Sequence, residues 1–291
     1  MCVADQSLPP PPPPPPPPPM KPVEVRSVWD GNLEHEFNII RSIIDMYPLI
    51  SMDTEFPGVV VRPIAEDPYN RYRDSTSCYL NLKANVDMLN LIQLGLTIAD
   101  EDGNLPDLGT DCCYIWEFNF RDFDVSRDAH AHDSIQLLRS QGIDFERNLE
   151  CGIELVKFAE LMMSSGLVLN DAVSWIAFHG AYDFGYLIKC LTQKLLPAEL
   201  PEFLQFVKLF FGDRVYDVKH LNRFSDMYGG LDRVGKALGV ERVIGKKHQA
   251  GSDSLLTLHA FQKIRDMHFR HRNDGTLDKY ANVLYGLELF T

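Results

Sequence analysis

Two carboxylates stand one residue apart in a stretch that otherwise has the composition of a buried strand. The segment SMDTEFPGVV carries Asp53 and Glu55, and the apolar residues Leu49 and Ile50 precede it. Strand side chains alternate between faces, so both carboxylates fall on the same face. An edge strand with one solvent-exposed face gives the same pattern. The pair alone therefore does not distinguish a buried functional site from an exposed edge strand.

Two more acids occupy the apolar side of predicted helices. Asp183 precedes Leu187 by four residues, and Asp253 precedes Leu256 by three, so each carboxylate joins the stripe that packs on a sheet. Each aspartate also suits the first turn of its helix, where it would complement the helix dipole or act as a cap. The alternative to a shared site is therefore two separate helix caps.

A convergence of all four carboxylates requires cations. Two like charges ~4 Å apart at an effective dielectric constant of ~20 repel by roughly 4 kcal/mol. Oxygen ligands favour hard ions, so we expect Mg²⁺ or Mn²⁺ rather than zinc. Two such ions about 3.5 to 4 Å apart can hold the attacking and leaving oxygens of a phosphoryl displacement. The pattern predicts two-metal hydrolysis of a phosphodiester.

His248 supplies a candidate general base in the segment KHQAGSDSLLT, five residues before Asp253. A histidine with a pKa of ~6.5 can take a proton from water near neutral pH. We expect the small residues Ala250 and Gly251 to let the backbone turn sharply into the helix that begins with Ser252 and Asp253. His248 would then lie on a loop over the site.

The elements that position these residues follow from periodicity. A helix beginning near Asn32 ends at Pro48, before the strand that carries Asp53. Residues 62–87 are polar and turn-rich and are assigned to loops. Further strands are predicted at 91–100, 112–120, 175–180 and 214–218, and further helices at about 145–165, 181–193, 199–211, 231–239 and 252–269. This order predicts an α/β class domain whose mixed sheet carries helices on both faces.

Composition limits the protein's class and surroundings. The 291 residues are 45% hydrophobic. We find neither the apolar run of ~18 residues that a membrane helix needs nor the pattern of a secretory signal. The six cysteines lack C-x-x-C spacing, which disfavours zinc and disulfides and favours the cytoplasm or nucleus. The net charge of −13 excludes a basic coat for nucleic acid but not a metal-mediated site.

The N-terminal segment is dominated by the unbroken proline run Pro9 to Pro19. Such a run adopts extended polyproline II and cannot join a core. We therefore expect a disordered, proline-rich leader over residues 1–22 and one catalytic domain over residues 23–291. The leader is either a spacer or a ligand for an adaptor domain with an aromatic groove.

The motifs resemble those of a known family. DTE at 53–55, HGAYD at 179–183 and HQAGSD at 248–253 resemble, in order, the three exonuclease motifs of the DEDD superfamily, in its histidine-bearing subgroup. The longer blocks SMDTEFPGVV, LIQLGLTI, FHGAYDFGYLIK, YDVKHL and HQAGSDSLLT resemble the Caf-type poly(A) ribonucleases, the deadenylase subunits of the Ccr-Not complex. The resemblance covers roughly Val25 to Leu287 and implies a ribonuclease H-like fold.

The resemblance also implies roles for the candidate residues. Asp53, Glu55, Asp183 and Asp253 would be metal ligands, and His248 the base that activates the attacking water. We expect Asp53 to bridge two ions, Glu55 and Asp253 to complete one, and Asp183 to hold the other mainly through water. The implied reaction is 3′ to 5′ removal of adenylates from mRNA poly(A) tails, releasing 5′-AMP. Implied partners are poly(A) RNA, the Ccr-Not scaffold and a Ccr-type nuclease, in the cytoplasm and nucleus.

Three neighbouring residues are left outside the predicted site. Phe56 could stack on the terminal base, although strand alternation favours packing in the core. His179 stands where the wider superfamily usually has asparagine, and we expect it to serve the turn. Asp217 could support the metal ligands from behind, but aspartates at strand ends are common, so it is left out of the site. Two rival functions remain open, a DEDD exonuclease with another nucleic-acid substrate and an assembly subunit bridging a scaffold and another nuclease.

Overall fold

The computed structural model describes residues 21–62, 74–224, 227–269 and 276–289. The proline run predicted as a disordered leader lies outside these residues. Within them, one six-stranded sheet has the order β1-β4-β3-β2-β5-β6. The strands are β1 (Val23–Val28), β2 (Leu49–Glu55), β3 (Gln93–Ala99), β4 (Cys113–Asn119), β5 (Ser174–Ala177) and β6 (Val215–Asp217).

The sheet is mixed. Strands β2, β3 and β4 form the predicted antiparallel meander, whereas β1 runs parallel to β4. On the other side, β5 runs parallel to β2, and β6 runs parallel to β5. The part of the chain with antiparallel strands thus comes first and the alternating strand-helix part follows, as the element order predicted.

Ten α-helices surround the sheet in the described part of the chain. They are α1 (Leu33–Ile43), α2 (Ser75–Met88), α3 (His132–Gln141), α4 (Phe145–Cys151), α5 (Leu155–Met163), α6 (Ala181–Thr192), α7 (Leu200–Phe211), α8 (Val218–Leu221), α9 (Leu231–Ala237) and α10 (Ala250–His268). None of these helices is both long and apolar enough to span a membrane.

Alternation along β2 divides the core between the two faces of the sheet. Ile50 and Met52 belong to the larger core cluster, which includes buried residues of α1, α2, α5, α6 and α7. Leu49 belongs to a second cluster with residues of α9 and α10, among them Leu258 and Phe261. Asp53 and Glu55 share the parity of Leu49 and therefore face the α10 side.

Several elements differ from the sequence prediction. Strand β1 and helices α2, α3 and α8 were not predicted, and α2 occupies much of the segment assigned to loops. The predicted helix at 145–165 is broken into α4 and α5. At the break, Ile153 forms a parallel bridge with Phe120. A Cβ at Gly152 would lie 2.2 Å from the carbonyl oxygen of Asn148, so this close approach requires glycine.

Candidate active site

The candidate site lies at the carboxyl end of β2. Strand β5 pairs with β2 only as far as Ser51, which is opposite Ile176, so the last residues of β2 extend past their parallel neighbour. Beyond this point, helices from opposite faces of the sheet, α6 and α10, approach β2. The carboxyl ends of neighbouring parallel strands are where α/β sheets commonly bind ligands.

Asp183 links the first turn of α6 to this strand end. Its Oδ1 accepts hydrogen bonds from the backbone N–H of Thr54 at 2.9 Å and from the Thr54 hydroxyl at 2.5 Å. The Asp183 residue is only 7% exposed. Because β5 has already turned away, the Thr54 N–H bonds to a carboxylate instead of to a strand.

Asp253 occupies the first turn of α10, on the opposite side of β2. Its Oδ2 accepts a hydrogen bond from the backbone N–H of His248 at 2.9 Å. Its Oδ1 lies 2.6 Å from Nη2 of Arg242, and the same guanidinium nitrogen lies 2.7 Å from Oδ1 of Asp232. Arg242 was not predicted as part of the site, since an arginine on a loop eleven residues before Asp253 gives no periodic signal.

His248 turns the chain into α10, although not as predicted. His248 itself has a left-handed backbone, with φ of 60°, whereas Ala250 and Gly251 are the first helical residues of α10. The Nδ1 atom of His248 lies 3.9 Å from Oε1 of Glu55, and the side chain is 33% exposed. Glu55, His248 and Asp253 each offer a ligand atom, all within 4.8 Å of one another, as in a metal site.

Gly95 allows α10 to approach this closely. It stands opposite Asp53 in the β2–β3 register. A Cβ at Gly95 would lie 2.0 Å from the backbone oxygen of Ala250 and 2.4 Å from the backbone nitrogen of Gly251. Any side chain here would displace the start of α10 from the sheet. The glycine within LIQLGLTI was the available sequence signal, because a glycine inside a strand often marks a close backbone approach.

The electrostatics of the four acids favour cations. Burial raises the pKa of Asp53 well above its usual range, and the charges of Asp183, Glu55 and Asp253 raise it further. Burial and the neighbouring acids raise the pKa of Glu55 in the same way. Burial also raises the pKa of Asp183 to about 7. Buried carboxylates that repel one another, with oxygen as the donor atom, fit Mg²⁺ or Mn²⁺.

A pocket of about 390 Å³ opens onto these residues. Asp53, Glu55, His248 and Asp253 line it, together with residues of α3 and α9. Asp183 is not in this lining, but its hydrogen-bond partner Thr54 is. The five predicted site residues therefore converge on one strand end, four of them at the pocket surface.

Phe56 both lines the pocket and packs against the core. Its ring stacks on Tyr182, with ring centroids 5.2 Å apart and planes inclined by 12°, and it also contacts Tyr186. The packing that alternation favoured is therefore present. The pocket-facing part of the ring remains available to a ligand.

His179 and Asp217 organise the turn between β5 and α6. His179 has a φ of 62°, and its backbone N–H donates to Asp217 Oδ1 at 2.9 Å. Asp217 is completely buried and also accepts hydrogen bonds from the backbone N–H groups of Gly180, Lys219 and Tyr285. Asp217 thus fixes the backbone that leads into Asp183, and His179 lies within this turn as expected.

Comparisons with known proteins indicate the family of this chain. The family description "CAF1 family ribonuclease" matches residues 28–165. The probable CCR4-associated factor 1 homolog 10 of Arabidopsis thaliana is 53% identical over 266 residues, which cover 91% of this chain and 92% of the relative. This chain belongs to the CAF1 family of ribonucleases.

Further relatives of this CAF1-family chain include solved structures. The poly(A) ribonuclease pop2 of Schizosaccharomyces pombe is 45% identical, over 90% of this chain and 75% of the relative. The Mg²⁺- and Mn²⁺-bound structure of S. pombe Pop2p has a TM-score of 0.80 at 44% identity, covering 90% of this chain and 99% of that one. Yeast CAF1, co-crystallised with the NOT1 MIF4G domain, has a TM-score of 0.73 at 33% identity, covering 90% and 96%. The predicted ribonuclease H-like α/β fold is confirmed.

Proposed function

We propose that this chain is a metal-dependent 3′ to 5′ exoribonuclease that removes adenylates from the poly(A) tails of mRNA and releases 5′-AMP. The observation that carries the proposal is the convergence of Asp53, Glu55, Asp183, His248 and Asp253 at one strand end of a CAF1-family chain. A relative named as a poly(A) ribonuclease supports the substrate.

The metal ligands in this proposal are the four acids. Asp53, Glu55, Asp183 and Asp253 would hold two divalent ions. Asp53 would contribute to both, Glu55 and Asp253 would complete one set, and Asp183 would serve the other mainly through water. Mg²⁺ or Mn²⁺ fits the donor atoms, and the related Pop2p structure contains both. When bound, such ions supply positive charge to the attacking and leaving oxygens of the phosphodiester.

The protein groups perform the remaining tasks. Burial lowers the pKa of His248, so its imidazole is neutral and able to accept a proton from the attacking water. The backbone N–H of His248 donates to the Asp253 carboxylate, which holds the candidate base next to one candidate ligand. Thr54 fixes the orientation of the Asp183 carboxylate through its hydroxyl and backbone N–H.

Assembly partners are part of the same proposal. A related yeast CAF1 was co-crystallised with a NOT1 domain, which supports a Not1-type scaffold of the Ccr-Not complex as a partner of this chain. A Ccr-type nuclease as a second partner, and residence in both cytoplasm and nucleus, follow from the family resemblance. In this proposal, catalysis accompanies the assembly role, because the whole set of candidate catalytic residues is present.

The decisive experiment follows the shortening of a labelled oligoadenylate by the parent and by Asp53→Ala. We expect the parent to need Mg²⁺ or Mn²⁺ and to stop in chelator, while Asp53→Ala is inactive but folded. Glu34→Ala, which removes an exposed carboxylate on α1, is the matched control and should keep parental activity. An active Asp53→Ala would refute the site, and equal rates on oligouridylate and oligodeoxyadenylate would refute the poly(A) preference.

A further inference from the structure

The first turn of α10 is held by side chains of the sheet. Gln249, which precedes the helix, makes no side-chain capping bond to it. Helix N-termini leave N–H groups without intrahelical partners. Here the Ala250 N–H donates to Oε1 of Gln93 at 3.0 Å, and the Gly251 N–H donates to Oε2 of Glu117 at 3.2 Å. Strands β3 and β4 therefore cap a helix that is distant in sequence.

The strand register places these acceptors in line with the proposed metal ligands. One row across the sheet contains Asp53 on β2, Gly95 on β3 and Glu117 on β4. In the neighbouring row, Glu55 stands opposite Gln93. In each row, β2 supplies a ligand and another strand holds α10. The distance between Asp253 and the β2 carboxylates therefore depends on a side chain in each of the two rows.

Gln93 is fixed by its own hydrogen bond, and Glu117 lies directly against the helix. Gln93 is 4% exposed, and its Nε2 donates to Oδ1 of Asn119 at 2.8 Å, which directs its Oε1 toward Ala250. The Glu117 carboxylate lies beside Gly251, where a Cβ would approach its Oε2 to 3.2 Å. A carboxylate at this position also complements the positive end of the α10 dipole.

From these contacts we propose that Gln93 and Glu117 are positioning residues, which hold the first turn of α10 so that Asp253 and His248 meet Asp53 and Glu55. The inference rests on the proposed function, because it assigns those four residues to the reaction. Neither Gln93 nor Glu117 lines the pocket, so neither reaches the reacting atoms directly. Besides burial, the charge of Glu117 also raises the pKa of Glu55, and Glu117→Gln separates this charge from the contact with α10.

The test compares Gln93→Ala and Glu117→Ala with a matched variant, Thr97→Val. Thr97 lies on the same strand as Gln93, and its hydroxyl hydrogen-bonds to Ser254 of α10 at 2.8 Å. Removing this bond weakens the docking of the same helix without freeing the N–H groups of its first turn. Measurements are kcat and KM on oligoadenylate, Mn²⁺ affinity by calorimetry, and Tm.

We expect both alanine variants to lose about 10- to 100-fold in kcat and about tenfold in Mn²⁺ affinity, with KM changed by less than roughly threefold. Thr97→Val should lower Tm while keeping kcat within roughly threefold of the parent. Glu117→Gln retains an acceptor oxygen without the charge and should restore both kcat and Mn²⁺ affinity. If an alanine variant does not fold, Gln93→Met removes the acceptor at similar volume and tests the same point.

Two results would overturn the inference. One is parental kcat and Mn²⁺ affinity in the alanine variants, and the other is an equal loss of both in Thr97→Val. The calorimetric measurement separates this inference from the proposed function. If the parent binds Mn²⁺ but does not shorten oligoadenylate, the function fails, while the effect of Gln93 and Glu117 on the metal site is still measured.

Discussion

The buried carboxylate of Asp183 should make the stability of the metal-free protein depend on pH. Its pKa is raised from 3.8 to about 7 in the folded state, chiefly by burial. Between these two values the folded state binds more protons than the unfolded state, so the free energy of unfolding falls as pH rises and levels off above about 7. A difference of about three pKa units corresponds to about 4 kcal/mol.

Replacing Asp183 with Asn removes this contribution, because the amide oxygen can still accept from Thr54 but does not titrate. The substitution also removes the charge that adds to burial in raising the pKa of Asp53 and Glu55. Urea unfolding in chelator at pH 4, 5.5 and 8 measures the free energy of unfolding of both proteins. We expect Asp183→Asn to gain on the parent as pH rises, by up to about 4 kcal/mol at pH 8. Mg²⁺ at pH 8 should stabilise the parent more than the variant. A pH dependence identical in the two proteins would refute the reasoning.

Three further substitutions test other parts of the site. Gly95→Ala places a Cβ 2.0 Å from the backbone of α10 and should lower the free energy of unfolding in urea by about 1 to 3 kcal/mol and remove most of the activity. Gly31→Ala, with open space around it, should change neither, and equal effects of the two variants would contradict the close approach of α10. Arg242→Met leaves the buried carboxylate of Asp253 without its cation and should cost about 3 kcal/mol in urea unfolding. Arg127→Met, at an arginine whose side chain is 83% exposed, should cost less than about 1 kcal/mol, and similar losses in the two variants would contradict the reasoning. His248→Ala should lower the single-turnover rate constant about 10²- to 10⁴-fold, while Mn²⁺ affinity stays within roughly tenfold of the parent. An unchanged rate constant would exclude His248 as the base.

The elements that carry the five site residues could be predicted because each has a strong local pattern. Strand β2 is indicated by the apolar residues Leu49 and Ile50 at its start. Helices α6 and α10 are indicated by apolar residues at helical spacing after Asp183 and Asp253. Helix α2 was missed because its own apolar residues are distributed around its whole circumference. Tyr79 is buried while Leu80 and Met88 are exposed, so no single apolar face stands out.

The supports of the site were harder to predict, because each acts through a contact between distant segments. Gln93 and Glu117 look like ordinary polar strand residues until α10 is placed upon them. Arg242 has no distinguishing feature in the sequence, and its role becomes visible only when the fold places Asp232 and Asp253 against it. Only Gly95 carried a readable signal, since glycine weakens a strand unless another backbone needs the space.

The hydrogen bonds of Asp217 couple two regions that look independent in the sequence. One carboxylate receives the N–H of Tyr285, near the C-terminal end of the described chain, and those of the turn that leads to Asp183. Removing the chain from Tyr285 onward would leave that buried charge with fewer donors. A proteolytic cut before Tyr285 would therefore disturb the turn that carries Asp183 through a single shared acceptor, without contacting the pocket.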